Sequence, residues 1–127
     1  EVRCHDILTS PLPTAQFDLA CARLVLEHLS DPDLALHRIA AALKPGGVVV
    51  VQDHVAEAGG DTAKVVDELH RIDPAFVRAE FERAGFVFDG ESKVLAHPAD
   101  HHTKLVFEKS IRGKTDQFIY RFRKPIP

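Results

Sequence analysis

With 127 residues, the chain has material for one domain and one core, and too little for two. Its make-up, 45% hydrophobic and 28% charged, is that of a globular protein, and a formal charge of −3 leaves no basic excess to neutralise phosphates. Nucleic acid and membrane surfaces are therefore not expected as partners, and no apolar run approaches the ~18 residues of a membrane span.

Val2 to His5 reads as a short strand, followed by Asp6, Ile7 and a proline-bearing turn at Ser10-Pro11-Leu12-Pro13-Thr14. Phe17 to Ala22 is apolar except for Asp18, the pattern of a strand buried on both faces. Ser30-Asp31-Pro32-Asp33 is a helix start: a capping side chain, proline in the first turn and acids at the positive end of the dipole. Leu34, Leu36, Ile39, Ala40 and Leu43 then recur at helical spacing until Gly46-Gly47 ends the element. The β-branched run Val48 to Val51 predicts a central parallel strand, closed by Gln52-Asp53-His54.

Beyond the loop Ala58-Gly59-Gly60-Asp61, the spacing predicts a helix over Thr62 to Arg71 and a second opened by Asp73-Pro74 and stopped by Gly85. Phe86-Val87-Phe88 begins a strand that could extend to Leu95. His97 to Lys104 reads as a polar, solvated loop, and Leu105-Val106-Phe107 is ambiguous. Arg112-Gly113-Lys114 is a turn, and Phe118 to Phe122 alternates as a final strand. The basic tail Arg121-Phe122-Arg123-Lys124 belongs to that alternation, so it reads as a half-buried strand before it reads as a phosphate site. Helices between early strands and a strand pair at the end predict an α/β sheet whose last strands are antiparallel.

Cys4 and Cys21, in apparent strand positions with no metal or redox spacing, fit a reduced, cytoplasmic chain. No basic-then-apolar signal segment opens it. The chain contains no methionine and opens directly on Glu1-Val2-Arg3, which reads as a fragment or a processed chain.

Phe17-Asp18-Leu19 with Leu26-Glu27-His28-Leu29 and Leu43-Lys44-Pro45-Gly46-Gly47 resembles the middle of a class I S-adenosylmethionine-dependent methyltransferase, where these motifs join the fourth and fifth strands. Asp53-His54, Leu69-His70-Arg71-Ile72-Asp73, Pro98-Ala99-Asp100 and Ile111-Arg112-Gly113-Lys114-Thr115-Asp116-Gln117-Phe118 extend the likeness, to a group of predicted methyltransferases within that family. The resemblance implies a Rossmann-like sheet of order 3-2-1-4-5-7-6 with the seventh strand antiparallel. Residues 1–127 then read as a single, incomplete methyltransferase domain lacking the first two strands. Methyl transfer from S-adenosylmethionine to a small molecule is the implied activity, exercised as part of a longer protein. The alternative is a truncated, non-catalytic domain serving as a binding or assembly module.

By the same resemblance, Asp6 is the acid that accepts from the adenine amino group, with Ile7 supplying an amide. Ala22 and Arg23 line the methionine part of the cofactor, and His28 lies on the substrate side. The competing readings are an Asx-type turn at Asp6, a solvated cation at Arg23, and a packing or solvent-facing role for His28. Glu27 reads as a capping or solvated acid. Ligands in open α/β sheets lie beyond the carboxyl ends of the strands, which also draws in Asp53 and His54. Adjacent strand residues point to opposite faces, so Asp53, as a substrate contact, and His54, as a base, cannot both face one ligand while the strand continues. His70 is the second candidate base and, three residues from Asp73 in a helix, could converge with it on one face.

No metal site is expected, because the cluster of His97, Asp100, His101 and His102 has neither helical i, i+4 spacing nor a thiolate. The glycine-rich loop and ribose-binding acid of the family are not among these residues, so weak or absent binding of S-adenosylmethionine by this chain alone is expected. With its first neighbours missing, Phe17 to Ala22 becomes an apolar sheet edge, which predicts a homo-oligomer formed through it.

Overall fold

The computed structural model describes residues 1–127. Four strands form one sheet: β1 (Phe17–Arg23), β2 (Leu43–His54), β3 (Val87–Ser92) and β4 (Gln117–Arg123). Three helices accompany them: α1 (Pro32–Ala42), α2 (Thr62–Leu69) and α3 (Pro74–Arg83). The spatial order is β1-β2-β4-β3, with β1 and β2 parallel and β4 antiparallel to both of its neighbours. This is the 4-5-7-6 part of the order the resemblance implies. No helix is long and apolar enough to cross a membrane.

Local chemistry explains most boundaries. Asp31 caps α1 by accepting from the Leu34 N–H at 3.0 Å, and Pro32 occupies the first turn. Asp61 and Asp73 cap α2 and α3 in the same way, through Lys64 and Ala75. α1 ends at Ala42, and β2 begins at once. The β1–β2 register nevertheless jumps from Phe17 opposite Leu43 to Leu19 opposite Val48, so Lys44 to Gly47 bulge out of the ladder. Gly47 lies so close to the chain that a Cβ there would meet the Lys44 carbonyl at 2.9 Å. The two glycines thus make a bulge within the strand, where the sequence predicts only a helix end.

β2 buries alternate residues. Val49, Val51 and Asp53 face the core opposite Phe122, Tyr120 and Phe118 of β4, while Val48, Val50, Gln52 and His54 are half-buried on the other face. Phe81 of α3 stacks on Phe122 with ring centroids 4.2 Å apart and planes 8° apart, and both side chains are fully buried. Leu36 of α1, Val77 of α3 and Ile72 complete this core.

Three expectations are corrected. Val2 to His5 forms no strand: it is exposed coil, since no neighbouring strand is present to satisfy its backbone groups. β1 is not buried on both faces. Only Ala22 is buried along it, and Phe17 and Leu19 are about half exposed, because β1 has a ladder partner on one side alone. His70 and Asp73 do not share a helix. α2 stops at Leu69, His70 is its left-handed cap (φ 53°), and Asp73 is the amino-terminal cap of α3. The backbone of Val55 and Ile72 forms an isolated parallel bridge, which draws the intervening chain straight and ends the helix.

Candidate functional site

Beyond the carboxyl end of β1 the chain leaves the sheet at Leu24, which adopts a left-handed conformation (φ 52°) while its N–H donates to the Gln52 carbonyl at 3.0 Å. A branched residue held there carries strain of order 1–3 kcal/mol, a cost that clusters at functional sites. The turn presents Leu26 to His28 as a single 3-10 turn. Across from it, His70 is held in the same unusual backbone region as the cap of α2. Two left-handed residues therefore bring His28 and His70 together, with ring centroids 5.3 Å apart, and Phe107 packs on the far side of His70 at 5.1 Å.

These imidazoles border a cleft of about 610 Å³, of the size small-molecule sites occupy. Its walls are mainly apolar, from Leu36 of α1, Val66 of α2 and Phe76 of α3, and Glu27, Asp67 and Glu80 add acid to them. Glu27 is the least expected member. Its side chain is 2% exposed, its Oε1 meets His28 Nε2 at 2.9 Å, and its Oε2 is buried without a hydrogen-bond partner. Burial pushes the Glu27 carboxyl up to about 7. The sequence assigns it a capping or solvated role, which this burial overturns: the 3-10 turn rolls the side chain inward.

Asp53 lies at the same end of the sheet and is 3% exposed. Burial first, and the nearby Glu27 charge second, raise its carboxyl to about 7, although its Oδ1 accepts the His54 N–H at 2.7 Å. Two carboxyls that share one low-dielectric neighbourhood hold protons that isolated acids would lose. His54 points the other way. Strand β2 includes it, so alternation places it on the face opposite Asp53, where Nδ1 meets Thr115 Oγ1 at 2.9 Å. Burial, then the Arg71 charge, hold its pKa below the ordinary histidine value.

The other sequence candidates lie apart from the cleft. Asp6 is exposed and forms an Asx turn, accepting from the Leu8 N–H at 2.9 Å while its own N–H donates to Ser10 Oγ at 3.0 Å. The Leu8 N–H first, and the Thr9 side chain second, hold its carboxyl below the usual range. The loop it begins rests on α1, where Arg38 donates to the Ser10 carbonyl. Ile7 is half-buried, Ala22 is buried, and Arg23 is exposed at the end of β1.

Sequence reasoning missed Arg71. It is fully buried and grips Asp100 through two hydrogen bonds of 2.8 and 3.1 Å. It also donates to the carbonyls of Val55 (2.9 Å) and Lys104 (2.8 Å). The loop read as solvated is therefore tied to the core at Asp100, and His102 Nε2 pairs with Asp116 at 2.8 Å. The signal present was the family pattern in Leu69-His70-Arg71-Ile72-Asp73 and Pro98-Ala99-Asp100, which names both partners without saying that they meet.

Comparison with known proteins agrees with this architecture. A family model described as a methyltransferase domain matches residues 1–51. The carboxy-S-adenosyl-L-methionine synthase of Hahella chejuensis is 33% identical over 70 residues, a match covering 55% of this chain and 28% of that protein. An uncharacterized methyltransferase of Mycobacterium tuberculosis is 39% identical over 46 residues, covering 36% of this chain and 23% of its own length. The matches thus span about a quarter of these curated relatives. Among solved structures, the [4+2]-cyclase SpnF superposes with a TM-score of 0.72 at 24% identity, covering 98% of this chain and 56% of its own. A methyltransferase from Aquifex aeolicus dependent on S-adenosylmethionine gives 0.65 at 18%, covering 97% and 54%. The 1,6-didemethyltoxoflavin-N1-methyltransferase of Burkholderia thailandensis, solved with S-adenosylhomocysteine, gives 0.58 at 18%, covering 89% and 46%. Residues 1–51 thus match a methyltransferase domain, and the strand order is that of the class I S-adenosylmethionine-dependent methyltransferase fold.

Proposed function

We propose that the chain acts within a longer protein to transfer a methyl group from S-adenosylmethionine to a small-molecule acceptor held in the cleft beside His28 and His70. The observation that carries this reading is the place of the cleft, beyond the carboxyl end of the parallel strand β1, where open α/β sheets bind their ligands. The similar proteins include a cyclase and a synthase, so the fold by itself does not choose the reaction.

The residues present fit part of the cofactor. The exposed Asp6 carboxylate can accept from an adenine amino group beside the Ile7 amide, and Ala22 and Arg23 at the end of β1 suit the methionine moiety. No glycine-rich loop follows a first strand within these residues. When bound, the cofactor supplies an electrophilic methyl group. The protein then has to hold the acceptor in line, exclude water and accept a proton where the acceptor carries one. His70, on the cleft wall, is our candidate to accept the proton, and His28, beside it, to orient the acceptor, whereas Asp53 faces the core and does not line the cleft. His54 reaches the site only through its neighbours, from the opposite face of β2, and serves better as a positioning group.

The test is titration of this chain with S-adenosylmethionine by calorimetry. We expect a dissociation constant weaker than about 10 μM, roughly 7 kcal/mol. Turnover is expected only from a longer form that adds the glycine-rich loop. A longer form that binds the cofactor yet methylates nothing in a small-molecule panel would reject the reading. Unpaired Cys4 and Cys21 support a reducing, cytoplasmic setting. The unpaired edge of β1 supports the second reading, an assembly module, through strand pairing with another copy.

A further inference from the structure

Glu27, His28 and His70 each present one ligand atom, and these atoms all lie within 4.8 Å of one another. A divalent ion bonded to nitrogen and oxygen at about 2.0–2.2 Å would hold such atoms somewhat closer together, within reach of small side-chain rotations. Two features separate this cluster from a chance grouping. The first is the buried Oε2 of Glu27, a residue of the cleft wall, which has no hydrogen-bond partner. The second is the backbone: His70 is fixed by a left-handed cap, and the turn carrying Glu27 and His28 follows a left-handed Leu24. Conformations of that kind persist only where the surrounding structure imposes them.

We propose that Glu27, His28 and His70 form a three-ligand site for a borderline divalent cation of the Zn²⁺ type, with its open position facing the cleft. Two imidazoles and one carboxylate suit zinc, whereas magnesium and calcium take oxygen donors almost exclusively. Three protein ligands and one free position are the composition of a reactive zinc site, not of a structural one. His28 is about half exposed, which gives the ion an entry path, and the apolar walls restrict water around it. An oxygen-bearing group in the cleft would complete the coordination. This site stands on its own ligands and does not depend on the methyl-transfer reading. The ligands are invisible to spacing rules because Glu27-His28 and His70 come from distant parts of the chain.

The experiment is titration of the full 127-residue chain with ZnCl₂, by calorimetry, and with CoCl₂, by visible absorption, near neutral pH without chelating buffer. One equivalent is expected to bind. His28→Ala, His70→Ala and Glu27→Gln should each weaken it at least tenfold, about 1.4 kcal/mol or more. His37→Ala, at an exposed side chain of α1, should leave the affinity unchanged. Circular dichroism of each variant shows whether the fold survives. Should His70→Ala unfold, the exposed His28→Ala and the isosteric Glu27→Gln carry the test. Absence of binding at millimolar ion, equal affinity in the folded variants, or loss of binding only in a His101→Ala/His102→Ala chain would overturn the proposal.

Discussion

Arg71 and Asp100 lie 29 positions apart and meet in a two-pronged ion pair whose side chains are 0% and 3% exposed. Desolvation pushes the Asp100 carboxyl up. The Arg71 guanidinium and the N–H groups of Asp116 and His102 outweigh that and hold it below the usual range. Arg71 directly follows His70, and its side chain also binds the Val55 carbonyl. The pair therefore holds the end of α2, the end of β2 and the Pro98–Thr103 loop in one arrangement. Removing one partner strands a buried charge.

Asp100→Ala should accordingly destabilise the fold by about 3–5 kcal/mol, measured as a lowered urea midpoint. Because His70 is carried on the same backbone, the variant should also weaken zinc binding. A cost below about 1 kcal/mol would mean that the pair is effectively solvated.

Stability should depend on pH through Asp53. Its folded pKa, about 7, lies above that of an unfolded aspartate. The stabilisation is therefore complete below about pH 4 and disappears as pH rises through 7, where the folded state must bury a charge. The loss is on the order of 2–4 kcal/mol. In chelator, Asp53→Asn should flatten this part of the pH profile and unfold at higher urea than the unsubstituted chain at about pH 8. Parallel profiles for the two proteins would contradict the assignment.

Phe122→Ala should cost about 3–5 kcal/mol. The ring is fully buried, stacked on Phe81 and met edge-on by Phe88 at 5.7 Å, so its loss leaves a cavity at the sheet's centre. Thermal unfolding reads the effect directly.

In a longer, active form, His70→Gln should lower turnover by about 10²–10⁴ while sparing cofactor affinity. His54→Gln should lower it less, because its ring faces away from the cleft and bonds Thr115. Steady-state kinetics of both variants decide this, and equal losses would return His54 to the list of bases.

Sedimentation at micromolar concentration should show self-association of this chain through β1, where Phe17 and Leu19 are 45% and 53% exposed. Leu19→Lys should restore a monomer. A monomer from the unsubstituted chain would remove the edge as an interface.

Much of this architecture is written in local sequence. Asp31-Pro32 and Asp73-Pro74 start helices because their side chains and rings satisfy the first turn without help from elsewhere. Val48 to Val51 is a strand for equally local reasons, and the alternation of Phe118, Tyr120 and Phe122 announces the antiparallel β4. The family pattern in Leu26-Glu27-His28-Leu29 and Lys44-Pro45-Gly46-Gly47 sufficed to identify the sheet. What tertiary structure alone decided is which side chains lose water. Packing raises the Glu27 and Asp53 carboxyls and buries Arg71 against Asp100. It also meets His28 with His70, which no spacing links. Dielectric environment and convergence are properties of the packed chain, so the sequence could supply the residues but not the site they make.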